Sequence, residues 1–165
     1  MLDQTIFTNG YSVSTTTLAS LEKNDCTVRA ISNAFNVCYD TAHEFAATML
    51  GRENRRGVKG FDSKMASLKS VSFSDNSEQL SLFPQSNDYN VTPFRCMQLI
   101  NPTYTHKRVK FTVKTFMQRF TKGTYIITVK DHALVIKDGV VIDNPNYQFT
   151  GYRRPVINAF VISQK

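Results

Sequence analysis

The sequence predicts an α+β domain with helices in its first half and an antiparallel sheet in its second. Apolar residues recur at helical spacing after Asn24, where Val28, Ile31 and Phe35 form a stripe flanked by Ala30 and Ala34. After Gly123 the period shortens to β-like runs, two of them separated by Asp138-Gly139, the strongest short-range hairpin signal. A chain of 165 residues suits one domain spanning 1–165, which buries roughly 70% of the surface exposed by the unfolded chain.

Each element has a local reason. Residues 1–22, rich in Thr and Ser with a turn at Asn9-Gly10, read as an N-terminal arm or edge strand. A helix starts at about Cys26, with Asn24 and Asp25 as cap residues. Asp40 caps a second helix that buries Ala42, Phe45, Ala46 and Met49 and ends at Gly51. Residues 52–60 read as a solvated loop. Asp62 or Ser63 then caps a short third helix through Met65 and Leu68. Pro84, Pro93 and Pro102 break the stretch 70–102 and leave a helix only around 94–100. Thr112 caps a helix with Val113, Phe116, Met117 and Phe120 on one face, closed by Lys122-Gly123. Strands follow over 125–130, 133–137 and 140–143, with a closing strand over 156–162.

A composition of 41% hydrophobic and 20% charged residues excludes disorder as the main state. The net charge of +7 is local, because 89–130 contains eight Lys and Arg and no acid, leaving 12 cations against 13 anions elsewhere. Lys107, Arg108, Lys110, Lys114 and Arg119 therefore form a candidate basic surface for an acidic partner or nucleic acid. On the 113–120 helix the same charges also suit the solvated back of a packed element. Cys26, Cys38 and Cys96 show no CxxC spacing and cannot all pair, which argues against a disulfide framework and for a reducing cytoplasm. No HExxH, P-loop or GxGxxG is present, so no metal or organic cofactor is expected. There is no secretory signal and no apolar run of about 18 residues, so a soluble protein without a membrane partner is expected.

The hairpin turns spacing into proximity. A two-residue Asp138-Gly139 loop pairs Lys137 with Val140, Ile136 with Val141 and Val135 with Ile142, and sets Asp143 diagonally across from His132. A three-residue loop shifts the register by one and favours Asn144 instead. A carboxylate behind an imidazole fixes its tautomer and stabilises imidazolium, as a general base requires. The candidate nucleophile is Cys26, because the first turn of a helix offers the positive end of the macrodipole and free NH groups that favour thiolate. Those NH groups and the Asn24 side chain are candidate oxyanion donors. Cys38 and Cys96 read as structural thiols, and His43 and His106 as surface residues.

The order helix-borne Cys, strand-borne His, then Asp resembles papain-like cysteine peptidases. Closer still, Asn24-Asp25-Cys26-Thr27-Val28-Arg29-Ala30-Ile31 with Tyr39-Asp40-Thr41-Ala42-His43, followed by Gly123-Thr124-Tyr125-Ile126, His132-Ala133 and Asp138-Gly139-Val140-Val141-Ile142-Asp143, resembles small papain-like proteins of bacteriophages. The resemblance covers 24–50 and 112–144. It implies a papain-like fold with helices carrying the Cys and an antiparallel sheet carrying His and Asp, with Cys26 as nucleophile, His132 as base and Asp143 as orienting partner. No Gln stands shortly before Cys26, and the Gly and Trp neighbours of papain are absent, leaving Asn24 as oxyanion candidate with Gln4 behind it. The implied activity is a thiol hydrolase, a phage cysteine peptidase or isopeptidase. It would act on a protein or peptide substrate in the host bacterial cytoplasm, or with the virion. Amide or acyl transfer by the same dyad is a variant. The alternative is a non-catalytic module on the same fold that grips an acidic host protein or nucleic acid.

Overall fold

The computed structural model describes residues 17–73, 87–94, 110–143 and 152–165. Helices α1 (Thr17–Leu21), α2 (Cys26–Phe35), α3 (Tyr39–Thr48) and α4 (Phe61–Ser67) precede strands β1 (Ser70–Ser72) and β2 (Asp88–Phe94). Helix α5 (Val113–Arg119) then leads into β3 (Thr124–Val129), β4 (His132–Lys137), β5 (Val140–Ile142) and β6 (Asn158–Gln164). The fold is α+β, and the strands form one antiparallel sheet in the order β1-β2-β6-β3-β4-β5.

Both faces of the sheet are covered, which strand alternation explains. Ala133 and Val135 of β4 join Ile126, Val91 and Phe160 under α2, α3 and α4, whereas Leu134 and Ile136 join Ile127, Val141 and Ala159 under α5. Val28, Ile31 and Phe35 are fully buried, each worth about 1.5–3 kcal/mol of transfer free energy. The Tyr89 hydroxyl donates to the Phe35 carbonyl at 2.7 Å, satisfying an acceptor at the end of α2 from the opposite element. On the other face Thr112 caps α5 through a reciprocal capping box with Thr115, the start the sequence predicts.

The hairpin register is as predicted, with Lys137 opposite Val140, Ile136 opposite Val141 and Val135 opposite Ile142. Asp138 and Gly139 have φ of 49° and 77°, the left-handed pair that a two-residue turn of this twist requires.

Several expectations are corrected. Residues 17–21 are helical rather than extended, because Ala19 is buried and Leu18 packs against the core. Helix α3 starts at Tyr39, so Asp40 lies in its first turn and Cys38 is the cap residue. Met49 is 59% exposed, its place in the core being taken by the fully buried Leu50 just after the helix. Gly60, at φ 65°, starts α4 ahead of Asp62 and Ser63. Phe94 ends a strand rather than beginning a helix, and Pro93 fits that strand although proline donates no ladder hydrogen bond. Cys38 is exposed and shares a 3.0 Å contact with the Thr41 hydroxyl, so it is not a core thiol. Arg52, expected in a solvated loop, is buried beside Glu22 and His43. The expected helix at 95–100, together with Gln4, Cys96, His106, Lys107, Arg108 and Asn144, lies outside the described residues.

Candidate active site

Cys26 is the first residue of α2, and three local features hold it there. Asn24 has a left-handed φ of 54°, and its amide donates to the Arg55 carbonyl at 3.2 Å, which ties the approach to the helix to the loop beyond α3. Asp25 occupies the cap position without capping. Its Oδ2 instead accepts from Arg29 Nε at 2.9 Å and from the Tyr39 hydroxyl at 2.8 Å. Burial, then the hydrogen bond to Asp25, pushes the Tyr39 hydroxyl well above the usual phenol range, so it stays a donor. The first NH groups of α2 are therefore not capped by Asp25, and Asn24 has one amide donor engaged elsewhere.

The partner residues arrive from the sheet. Lys130 and Asp131 make a tight turn between Val129 and His132, with Asp131 at φ 59°. Strand β4 runs away from His132, and β5 returns to the same end of the sheet, where Asp143 follows its last residue. His132 Nε2 donates to both oxygens of Asp143 at 2.9 Å. The two side chains are 2% and 5% exposed, so little water competes for this pair. Asp143 is thus the residue behind the imidazole.

Cys26 lies beside His132, close enough to contribute to the titration of the imidazole. With Nε2 committed to the carboxylate, proton exchange with a thiol falls to Nδ1. Burial by itself would push the His132 pKa down. The hydrogen bond and charge of Asp143, helped by the neighbouring Cys26, outweigh burial and raise it to about 9. At neutral pH the protonated ring is therefore favoured beside the Asp143 carboxylate.

Cys26 is half-buried and opens into a cleft of about 820 Å³ that His132 also lines. Lys23, Asn24, Gly57, Val58, Asp62, Thr128 and Asp131 line it as well. The arrangement offers a thiol at a helix start, a proton carrier and an orienting carboxylate at one opening, a set that acyl transfer can use. Among the described residues no three His, Cys, Asp or Glu side chains are grouped to hold a metal ion.

The structure brings Cys26, His132 and Asp143 together and sets Asn24 at the rim. Among the described residues, the basic ones of that stretch do not join them. Lys110, Lys114 and Arg119 do not line the cleft, and Lys114 and Arg119 project outward while Val113, Phe116 and Met117 of the same helix are buried. Sequence reasoning missed the Asp25, Arg29 and Tyr39 cluster, although the i,i+4 spacing of Asp25 and Arg29 is a readable signal. It also missed Asp62, whose contacts with Thr128 and Asn158 span 66 and 96 residues and leave no local trace.

No family model, curated protein or solved structure matches this chain. No helix among the described residues is long and apolar enough to cross a membrane.

Proposed function

We propose that the protein is a thiol hydrolase, a cysteine peptidase or isopeptidase working through Cys26, His132 and Asp143. The observation that carries this reading is that Cys26 and His132 line one cleft, with Asp143 bonded to the imidazole behind it, and that the cleft is large enough for a peptide segment. Cys26 attacks the acyl carbonyl, and backbone NH groups at the start of α2 stabilise the oxyanion. Collapse of the tetrahedral intermediate breaks the carbon–nitrogen bond, and the imidazolium proton passes to the leaving amine. Water, deprotonated by the neutral imidazole, then attacks the thioester and restores the thiol. Asp143 keeps Nδ1 directed at the sulfur throughout and stabilises the charged ring.

The resemblance of 24–50 and 112–144 to small phage papain-like proteins supports a papain-like fold, a protein or peptide substrate and action in an infected bacterium. The test is exposure of a host-cell lysate to the protein, with new N-termini and released isopeptide-linked lysines read by mass spectrometry. Cleavage by the wild type that disappears in Cys26→Ala and falls at least 100-fold, on the order of a lost general base, in His132→Gln is the expected result. Cleavage that persists unchanged in Cys26→Ala contradicts the proposal.

A further inference from the structure

The charges around the cleft are unequally neutralised. Glu22 pairs with Arg52 at 2.8 Å, and Asp25 pairs with Arg29 at 2.9 Å. Asp62 has no cationic partner among the described residues. Its Oδ2 accepts from Thr128 Oγ1 at 3.1 Å and from Asn158 Nδ2, both neutral donors. These bonds fix the carboxylate against β3 and β6 and leave its charge in place. Asp131, exposed on the turn that delivers His132, makes no ion pair among the described residues. Both carboxylates therefore line the cleft that the imidazole also lines.

Two side-chain oxygens in the same cleft lack partners. Thr27 Oγ1 belongs to a residue only 5% exposed, next to Cys26, and Asp62 Oδ1 is buried as well. A buried hydroxyl and a buried carboxylate oxygen without donors are costly until a hydrogen-bonding group reaches them. An ammonium or guanidinium group supplies several donors and a compensating charge at once.

Resting on the thiol hydrolase reading, we propose that Asp62, with Thr27 and Asp131, forms a subsite for a cationic group. The substrate then carries a lysine- or arginine-like side chain close to the acyl group attacked by Cys26. Asp62 acts as a specificity residue and takes no part in proton transfer. The basic stretch of the sequence suggests an acidic partner; Asp62 selects the opposite charge.

The test uses charged thiol reagents on the intact protein. Methanethiosulfonates bearing a trimethylammonium or a sulfonate group react with a thiolate to give a mixed disulfide and release methanesulfinate. Their rate ratio at Cys26, located by mass spectrometry, is divided by the ratio for free 2-mercaptoethanol. Asp62→Asn retains an acceptor oxygen and removes the charge. It is expected to lower the cation preference about tenfold, the scale of one charge acting over a few ångström with screening close to that of bulk water. Asp131→Asn should lower it by about two- to threefold, the smaller effect of an exposed charge. Asp40→Asn, outside the cleft, should leave it unchanged. An unaltered ratio in Asp62→Asn overturns the subsite.

A measurement on the wild type alone covers a variant that fails to fold. Agmatine should slow alkylation of Cys26 by neutral iodoacetamide, whereas glutarate should not, and equal effects or none overturn the proposal. Loss of the thiol hydrolase reading has a separate signature. Cys26 would then react with neutral reagents no faster than Cys38, whatever the charge preference.

Discussion

Asp143→Asn is the perturbation that bears most directly on the paired imidazole. The substitution preserves size and one acceptor oxygen but removes the charge that faces His132 Nε2 at 2.9 Å. An unperturbed imidazole titrates at about 6.5, so the rise to about 9 corresponds to roughly 3 kcal/mol of preference for the protonated ring in the folded protein. Because the folded value lies above the unfolded one, this stabilisation is complete below about pH 6.5 and is lost as the pH rises through about 9. Removing an adjacent opposite charge lowers such a pKa by about 2 pH units, or about 2.7 kcal/mol. Urea unfolding of both proteins at about pH 6 and about pH 10 measures the difference. The variant should be destabilised by about 2–3 kcal/mol more at the lower pH, and its His132 resonances should titrate near 7 rather than 9. Equal destabilisation at both pH values, or a His132 that still titrates near 9, would refute the argument.

Two further predictions concern the scaffold that holds Cys26. Tyr39→Phe deletes the 2.8 Å hydrogen bond to Asp25 from a fully buried ring, and should cost about 1–3 kcal/mol in urea unfolding while slowing modification of Cys26. Unchanged stability would mean that Arg29 alone anchors Asp25. Arg52→Ala leaves Glu22 and His43 without the guanidinium that bonds them at 2.8 and 2.9 Å, and should cost about 3–5 kcal/mol near neutral pH. Arg52 holds the Glu22 carboxyl below its usual range, so this contribution is present above the unfolded value and is lost as pH falls. The gap between variant and wild type should therefore narrow in acid, and a gap that widens would contradict the pairing.

The parts of this protein that were legible beforehand are those set by neighbours in sequence. The stripe of Val28, Ile31 and Phe35 located α2, and Thr112 located α5, because period and cap are local properties. Asp138-Gly139 determined a register, and the register brought Asp143 to His132. The placing of Cys26 beside His132 depends on how α2 packs on the sheet; its position in the first turn of a helix marks Cys26 as a candidate nucleophile, and the resemblance joins it to His132. Strands β1 and β2 were missed because they are short or contain proline, and their pairing with each other and with β6 supplies what local propensity does not. Arg52 was placed in solvent because its loop is polar, whereas Glu22, 30 residues earlier, makes burial of its charge tolerable. Asp62 looked like a helix cap, and its contacts with Thr128 and Asn158 come from elements brought together by the fold.

The central claim is that Cys26 is an activated nucleophile beside a protonated His132. Limiting iodoacetamide at about pH 6, a pH at which an ordinary thiol is overwhelmingly protonated, tests it in one step, with the adducts on Cys26, Cys38 and Cys96 quantified by mass spectrometry. The account predicts that Cys26 is carboxamidomethylated first, ahead of the more exposed Cys38, and that His132→Gln abolishes this preference. Preferential labelling of Cys38 or Cys96 in the wild-type protein would contradict it.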